Sequence, residues 1–231
     1  APDIVGTDGA DFLVGTLPGE TIHGGKGNDT HDGGEGNDLL DGGDGADLLI
    51  GGGGDSLFGG GWHDWLIGGA GNDTLDGGGW RDTPSGGAGD DSLSGGDRDD
   101  LLSGGDDDDF AAGEEGADTI SGGSGDDSLL GGDGDELIDG ADGRDVIAGE
   151  AGDDFPVGGS GIDGLSGGAG DDFVLGGAVE LDFVGGAGND TLGGGSGMDE
   201  LVGGEGDDEI SLGADGLADK VVFRTGDGAD V

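Results

Sequence analysis

Residues 24–50 read GGKGNDTHDGGEGNDLLDGGDGADLLI, one nine-letter phrase written three times. In each copy glycine fills the first, second and fourth places and aspartate the sixth, while the eighth holds His31, Leu40 and then Leu49. Working outward in steps of nine, with one eight-residue copy at 51–58, the frame runs from Gly6 to Ser211. Glycine opens all 23 copies, and the sixth place is Asp or Glu in 22 of them, Leu181 alone breaking the series. The eighth place is mostly Leu or Ile, as at Leu13, Ile22, Leu57, Leu66 and Leu75, and His31, Pro84, Ala111 and Pro156 fit it worst.

Composition alone points elsewhere. The chain has 55 acidic residues against 6 basic ones, a net charge of −49, 68 glycines and few aromatics, which is the profile of a disordered polyacid. Disorder, however, requires bias without phase, and a frame held in register over some two hundred residues is the mark of a repeat fold. The charge argues against DNA, RNA and anionic membrane surfaces as partners, because phosphate repels it. With no cysteine there is neither a disulfide nor a thiolate metal site. No apolar run approaches the roughly 18 residues of a membrane span. The first residues lack the basic and hydrophobic segments of a Sec signal peptide. A start without Met and a stop within a phrase suggest a piece of a larger protein.

Each phrase reads as a turn followed by a short strand. Glycine at the first, second and fourth places admits positive φ, which suits a tight turn with inward carbonyls. The last three residues place one apolar side chain between two outward ones, the alternation of a strand. So short a strand must stack on copies of itself, giving a parallel coil with neighbours about 4.8 Å apart. Two phrases per coil would make roughly 11 or 12 coils of the 23 phrases. One buried aliphatic per phrase contributes roughly 1.5–3 kcal/mol, whereas ordering each residue costs about 1–2 kcal/mol. Acids stacked some 5 Å apart add about 1 kcal/mol of repulsion per pair even in water. A cation in the turns is therefore expected. Calcium fits best, since it accepts six to eight carboxylate and carbonyl oxygens in adaptable geometry, whereas magnesium demands a tight octahedron. Transition metals want imidazole or thiolate, and His23, His31 and His63 are too few and out of phase with a site. One ion for every pair of turns a coil apart would bring roughly 21 sites and nearly neutralise the chain.

The phrase resembles the RTX, or hemolysin-type calcium-binding, nonapeptide GGxGxDxUx over residues 6–211. The resemblance implies an all-β fold, a right-handed parallel β-roll (β-helix) solenoid, with several Ca²⁺ ions between turns one coil apart. Sixth-place acids and turn carbonyls would ligate them. Carried onto this chain, it pairs Asp29 with Asp47, Asp73 with Asp91, Asp172 with Asp190, and Asp190 with Asp208. The full set of metal candidates is Asp29, Asp38, Asp47, Asp73, Asp91, Asp118, Asp127, Asp145, Asp163, Asp172, Asp190, Asp199 and Asp208. It also implies export by a type I secretion system to the outside of the cell, with folding on meeting calcium there. The tail DKVVFRTGDGADV, residues 219–231, is similar to the flank that follows such repeats.

The organisation expected is a flank at 1–5, a repeat domain at 6–211 that is weaker at 51–121, and the start of a truncated C-terminal flank at 212–231. Pro18, Trp62, Trp80, Arg98, Asp107 and Val179 replace the fourth-place glycine, which predicts poor or empty sites there. Pro84 and Pro156 remove a ladder donor, and the short phrase should pinch the coil. Other motifs dissolve into the frame. GLSGG at 164–168 has no following helix or histidine partner to make a nucleophile elbow, and the NDT sequons at Asn28, Asn72 and Asn189 are letters of the phrase. The DDDD run at 106–109 reads as solvated charge. Trp62, Trp65 and Trp80 suggest a sugar platform only weakly. No HExxH occurs. The expected function is a calcium-folded, non-catalytic module acting as folding switch, stabiliser and secretion-associated scaffold. The rival readings are the C-terminal part of a secreted protease, lipase or polysaccharide epimerase whose catalytic domain lies outside this chain, a structural or adhesive solenoid, and a disordered mineral-binding polyacid.

Overall fold

The computed structural model describes residues 3–16, 18–177, 182–212 and 218–222. The chain divides into two compact units, Ala1–Glu115 and Gly116–Val231. Every regular element among the described residues is a strand, and within each unit each strand pairs in parallel with the next but one. In the first unit one sheet runs Ile4–Val5, Thr21–Lys26, Leu39–Asp44, Ser56–Gly61, Thr74–Gly79, Ser92–Asp97, Phe110–Glu115. The other runs Phe12–Val14, Thr30–Asp32, Leu48–Gly52, Trp65–Ala70, Thr83–Ala88, Leu101–Asp106. The second unit repeats the plan, with Ser128–Asp133, Val146–Ala151, Gly164–Ala169, Asp182–Ala187, Glu200–Glu205 and Lys220–Val222 in one sheet. Its other sheet holds Thr119–Ser124, Leu137–Asp142, Phe155–Ser160, Phe173–Gly177, Thr191–Gly195 and Glu209–Ser211. Each unit is thus an all-β solenoid of β-roll type, two phrases to a coil.

Register follows the frame. Thr74, Leu75 and Asp76 sit opposite Ser92, Leu93 and Ser94, one coil on. Eighth-place side chains, among them Leu40, Leu57, Leu75 and Leu93 in one sheet and Leu49, Leu66 and Leu102 in the other, form the core. The seventh and ninth places mostly face outward, Val202 being a buried exception.

The strands are longer than the three residues expected. Most span six, from the seventh place of one phrase to the third of the next, as in Thr74–Gly79, leaving the turn only the fourth to sixth places. The first-place glycine therefore lies in the strand rather than in a turn. It alternates inward with the eighth place, and its φ is not positive. Space is what it needs, since a Cβ on Gly86 would come 2.2 Å from Asp91 Oδ2, and one on Gly42 would come 2.7 Å from the Gly59 carbonyl oxygen. Positive φ belongs to the second and fourth places, as at Gly25 (105°) and Gly27 (108°).

Where the fourth-place glycine is missing, the backbone mostly keeps its shape. Trp62, Trp80, Arg98 and Asp107 all hold φ between 78° and 93°, a region costing an L-residue about 1–2 kcal/mol. Glu114, Ala141 and Glu150 do the same at the second place. Pro18, whose ring fixes φ negative, passes the left-handed conformation to Gly19 (76°). Val179 and Leu181 lie outside the described residues.

The prolines interrupt the ladder on one side only. Pro84 is in register with Leu66 in the preceding coil, but pairing with the following coil resumes only at Ser85 opposite Ser103. Pro156 faces Ile138 behind it, and pairing ahead resumes at Val157 opposite Leu175. The eight-residue phrase is absorbed without loss of register. Leu40 faces Leu57 and Leu49 faces Leu66, each 17 residues apart, and Asp55 stays buried.

Candidate metal sites between the coils

The turn delivers each sixth-place acid into the interior. From Glu20 to Asp208 the described ones are at most 4 % exposed, including every candidate named from the sequence. Asp11, in the first phrase, is only half-buried.

One carboxylate oxygen has a fixed task. The backbone N–H of Asp29 donates to Asp47 Oδ1 at 2.7 Å, and that of Asp73 donates to Asp91 Oδ1 at 2.8 Å. Asp172 donates to Asp190 at 3.0 Å and Asp190 to Asp208 at 2.9 Å. All four pairs that the family resemblance implies are thus neighbours across one coil. Asp38 donates to Asp55, Asp47 to Asp64, Asp127 to Asp145 and Asp145 to Asp163 in the same way. Asp199 donates outward to Asp219 at 3.3 Å. Asp118 shares the burial of the series.

The second oxygen has no such partner. Oδ2 of Asp29, Asp38, Asp47, Asp73, Asp91, Asp145, Asp163, Asp172 and Asp190 is buried without a hydrogen bond, and so is Oδ2 of Asp64, Asp82 and Asp154. Buried polar atoms are nearly always satisfied, and a stranded charged oxygen is costlier than a neutral one. A row of buried carboxylate oxygens in this condition is suited to a cation, whose charge would satisfy them. Each Oδ2 lies beside the first-place glycine of its own phrase, and at most of these glycines the carbonyl of the next coil's glycine also arrives. The Cβ position of Gly68 is 2.4 Å from Asp73 Oδ2 and 2.7 Å from the Gly86 carbonyl oxygen.

Electrostatics agree. Burial, the first cause in every case, pushes Asp47, Asp55, Asp73, Asp82, Asp145 and Asp190 up to about 6 and Asp64 and Asp172 up to about 7. Neighbouring acids add to it at these sites, as Asp82 does at Asp64, against the lowering effect of the backbone hydrogen bonds. Burial, with Asp154 close by, pushes Glu136 up as well. Among the described residues no group of three or more Asp, Glu, His or Cys side chains is gathered tightly enough to hold an ion. An ion here must therefore draw on one or two carboxylates plus turn carbonyls. Such an all-oxygen mixture is suited to Ca²⁺ and ill suited to metals that want nitrogen or sulfur.

The chain matches the family model of the RTX calcium-binding nonapeptide repeat over residues 23–56, 50–84, 85–120, 112–147, 130–165, 148–178 and 184–216. The chain belongs to the RTX calcium-binding nonapeptide repeat family. No curated protein matches it.

The RTX frame also shows what sequence reasoning missed. Asp55, Asp64, Asp82 and Asp154, set aside because their own or neighbouring phrases are irregular, are buried as deeply as the chosen acids. The fourth-place substitutions have not moved them, because the backbone keeps its positive φ at Trp62 and Trp80. His31 is a correction of another kind. It occupies the eighth place, is fully buried, and has neither ring nitrogen hydrogen-bonded. Burial lowers its pKa, partly offset by Asp29 and Asp41. Its ring therefore lies inside the coil, not at the surface. His23 and His63 sit at the surface, their Nδ1 atoms 3.1 Å from Asp41 Oδ2 and 3.0 Å from the Arg81 carbonyl oxygen. The three tryptophans form no shared platform. Trp62 and Trp80 stack on each other at 5.2 Å, Arg98 covers Trp80 at 4.2 Å, and Trp65 belongs to a strand of the sheet that begins with Phe12–Val14.

Proposed function

We propose that this chain is a calcium-gated folding module. Without cations the buried carboxylates oppose the coil, and with Ca²⁺ between the turns they hold it together. The observation that carries this reading is the row of buried Oδ2 atoms without a hydrogen bond, among them those of Asp29, Asp47, Asp73, Asp145 and Asp190, each next to a backbone carbonyl. Asp29, Asp38, Asp47, Asp73, Asp91, Asp118, Asp127, Asp145, Asp163, Asp172, Asp190, Asp199 and Asp208 would supply the carboxylates. The same environment extends the set to Asp64, Asp82 and Asp154. Calcium would provide positive charge and six to eight coordination positions, and the protein the oxygens.

A module that cannot fold where calcium is scarce and folds where it is plentiful suits a protein exported unfolded. Family membership supports type I secretion and an extracellular site of action. The module then serves as folding switch, stabiliser and scaffold for whatever it is joined to, including an enzyme domain outside this chain. The test is far-UV circular dichroism of the chain titrated with Ca²⁺, with Mg²⁺ at equal ionic strength as control. A cooperative gain of β signal with Ca²⁺ alone is expected. A flat response, or equal responses to both ions, would replace this reading with that of a solvated polyacid.

A further inference from the structure

We propose that the coil containing His31 binds one borderline divalent metal ion, of the Zn²⁺, Ni²⁺ or Co²⁺ class, through a mixed nitrogen and oxygen donor set. Three donors converge on Gly24. The position of a Cβ on that glycine lies 2.4 Å from Asp29 Oδ2, 2.5 Å from the Gly42 carbonyl oxygen and 2.9 Å from His31 Nε2. The next phrase shows the ordinary arrangement, where the matching point at Gly33 has Asp38 Oδ2 at 3.0 Å, the Gly51 carbonyl oxygen at 3.1 Å and Leu40 Cδ1 at 3.3 Å. His31 thus puts a nitrogen where that phrase puts a methyl group.

Both ring nitrogens of His31 and Oδ2 of Asp29 are buried without a hydrogen bond, while Asp29 Oδ1 is occupied by the Asp11 N–H at 2.8 Å. In the ladder His31 stands between Leu13 and Leu49. An unsatisfied imidazole in a leucine ladder is unfavourable in itself, and a metal that prizes imidazole resolves it. Affinity for such a donor rises from Ca²⁺, which prefers oxygen, toward Co²⁺, Ni²⁺ and Zn²⁺. The inference shares Asp29 with the calcium reading but concerns a different ion and a different donor.

The experiment is a Co²⁺ titration of the full chain in saturating Ca²⁺, followed by visible d–d absorption, comparing the native chain with His31→Leu. Leucine restores the residue of both ladder neighbours, so the variant should fold at least as well, and circular dichroism of the same samples checks this. The native chain is expected to show one Co²⁺ equivalent, displaced by Zn²⁺ and bound at least tenfold more weakly by His31→Leu. The signal should survive His23→Gln and His63→Gln. Equal Co²⁺ uptake by the native chain and His31→Leu, or none by the native chain, overturns the proposal. The calcium reading is judged separately, by whether Ca²⁺ alone induces the β signal.

Discussion

At Ala141 a methyl group occupies a conformation, φ 73°, that glycine occupies at the second place in most phrases. Ala141→Gly should therefore raise the unfolding free energy in saturating Ca²⁺ by about 1 kcal/mol, read from the denaturant midpoint. The converse test is Gly86→Ala. Its φ is not positive, so conformational strain predicts little effect, but a Cβ there meets Asp91 Oδ2 at 2.2 Å. The expected loss is about 2 kcal/mol or more, together with weaker calcium binding by calorimetry. These two positions show how far single letters can be read. Their spacing was plain in the sequence. That one place demands a left-handed backbone and another demands empty space beside a carboxylate was not, because both demands are met by the same residue.

Strand boundaries were legible only in part for a related reason. Thr74, Leu75 and Asp76 alternate as a strand should, but Gly77, Gly78 and Gly79 carry no pattern of their own and are drawn into the ladder by the coils on either side. The prolines follow the sequence argument more closely, with the refinement that only one side of the ladder is lost. Pro84 keeps its place opposite Leu66 and lacks only the N–H directed at the following coil. Pro84→Leu should restore that donor and the aliphatic core. A gain of about 1 kcal/mol in calcium-saturated stability is expected, with slower amide exchange in Leu101–Asp106.

For the molecule as a whole, the acid series predicts a pH dependence of unusual sign. A sixth-place carboxylate such as Asp64 or Asp172 ordinarily titrates near 3.8, but in the metal-free fold it does so at about 7. The folded state then binds more protons than the unfolded one between those values, so metal-free stability is present below about pH 4 and falls as pH rises through 6 to 7. A chelator-treated chain should gain β signal on acidification from pH 7.5 to 4.5, and Ca²⁺ binding near pH 6 should release protons, measurable in buffers of different ionisation enthalpy. Phase and acid were both visible in the letters, whereas the stranded second oxygen that gives them this behaviour appears only once the coils are stacked. The step between paired strands, 17 or 18 residues nearly throughout and 20 in the last described pair, carries a kinetic corollary. Ladder contacts span short loops of nearly equal length, so relative contact order is roughly 0.08, the range of the fastest-folding helical proteins. A coil needs only its own residues and the one laid down before it, so assembly can proceed from one end while the rest of the chain is still unfolded, at a pace that, under the proposed function, the arrival of ions would set.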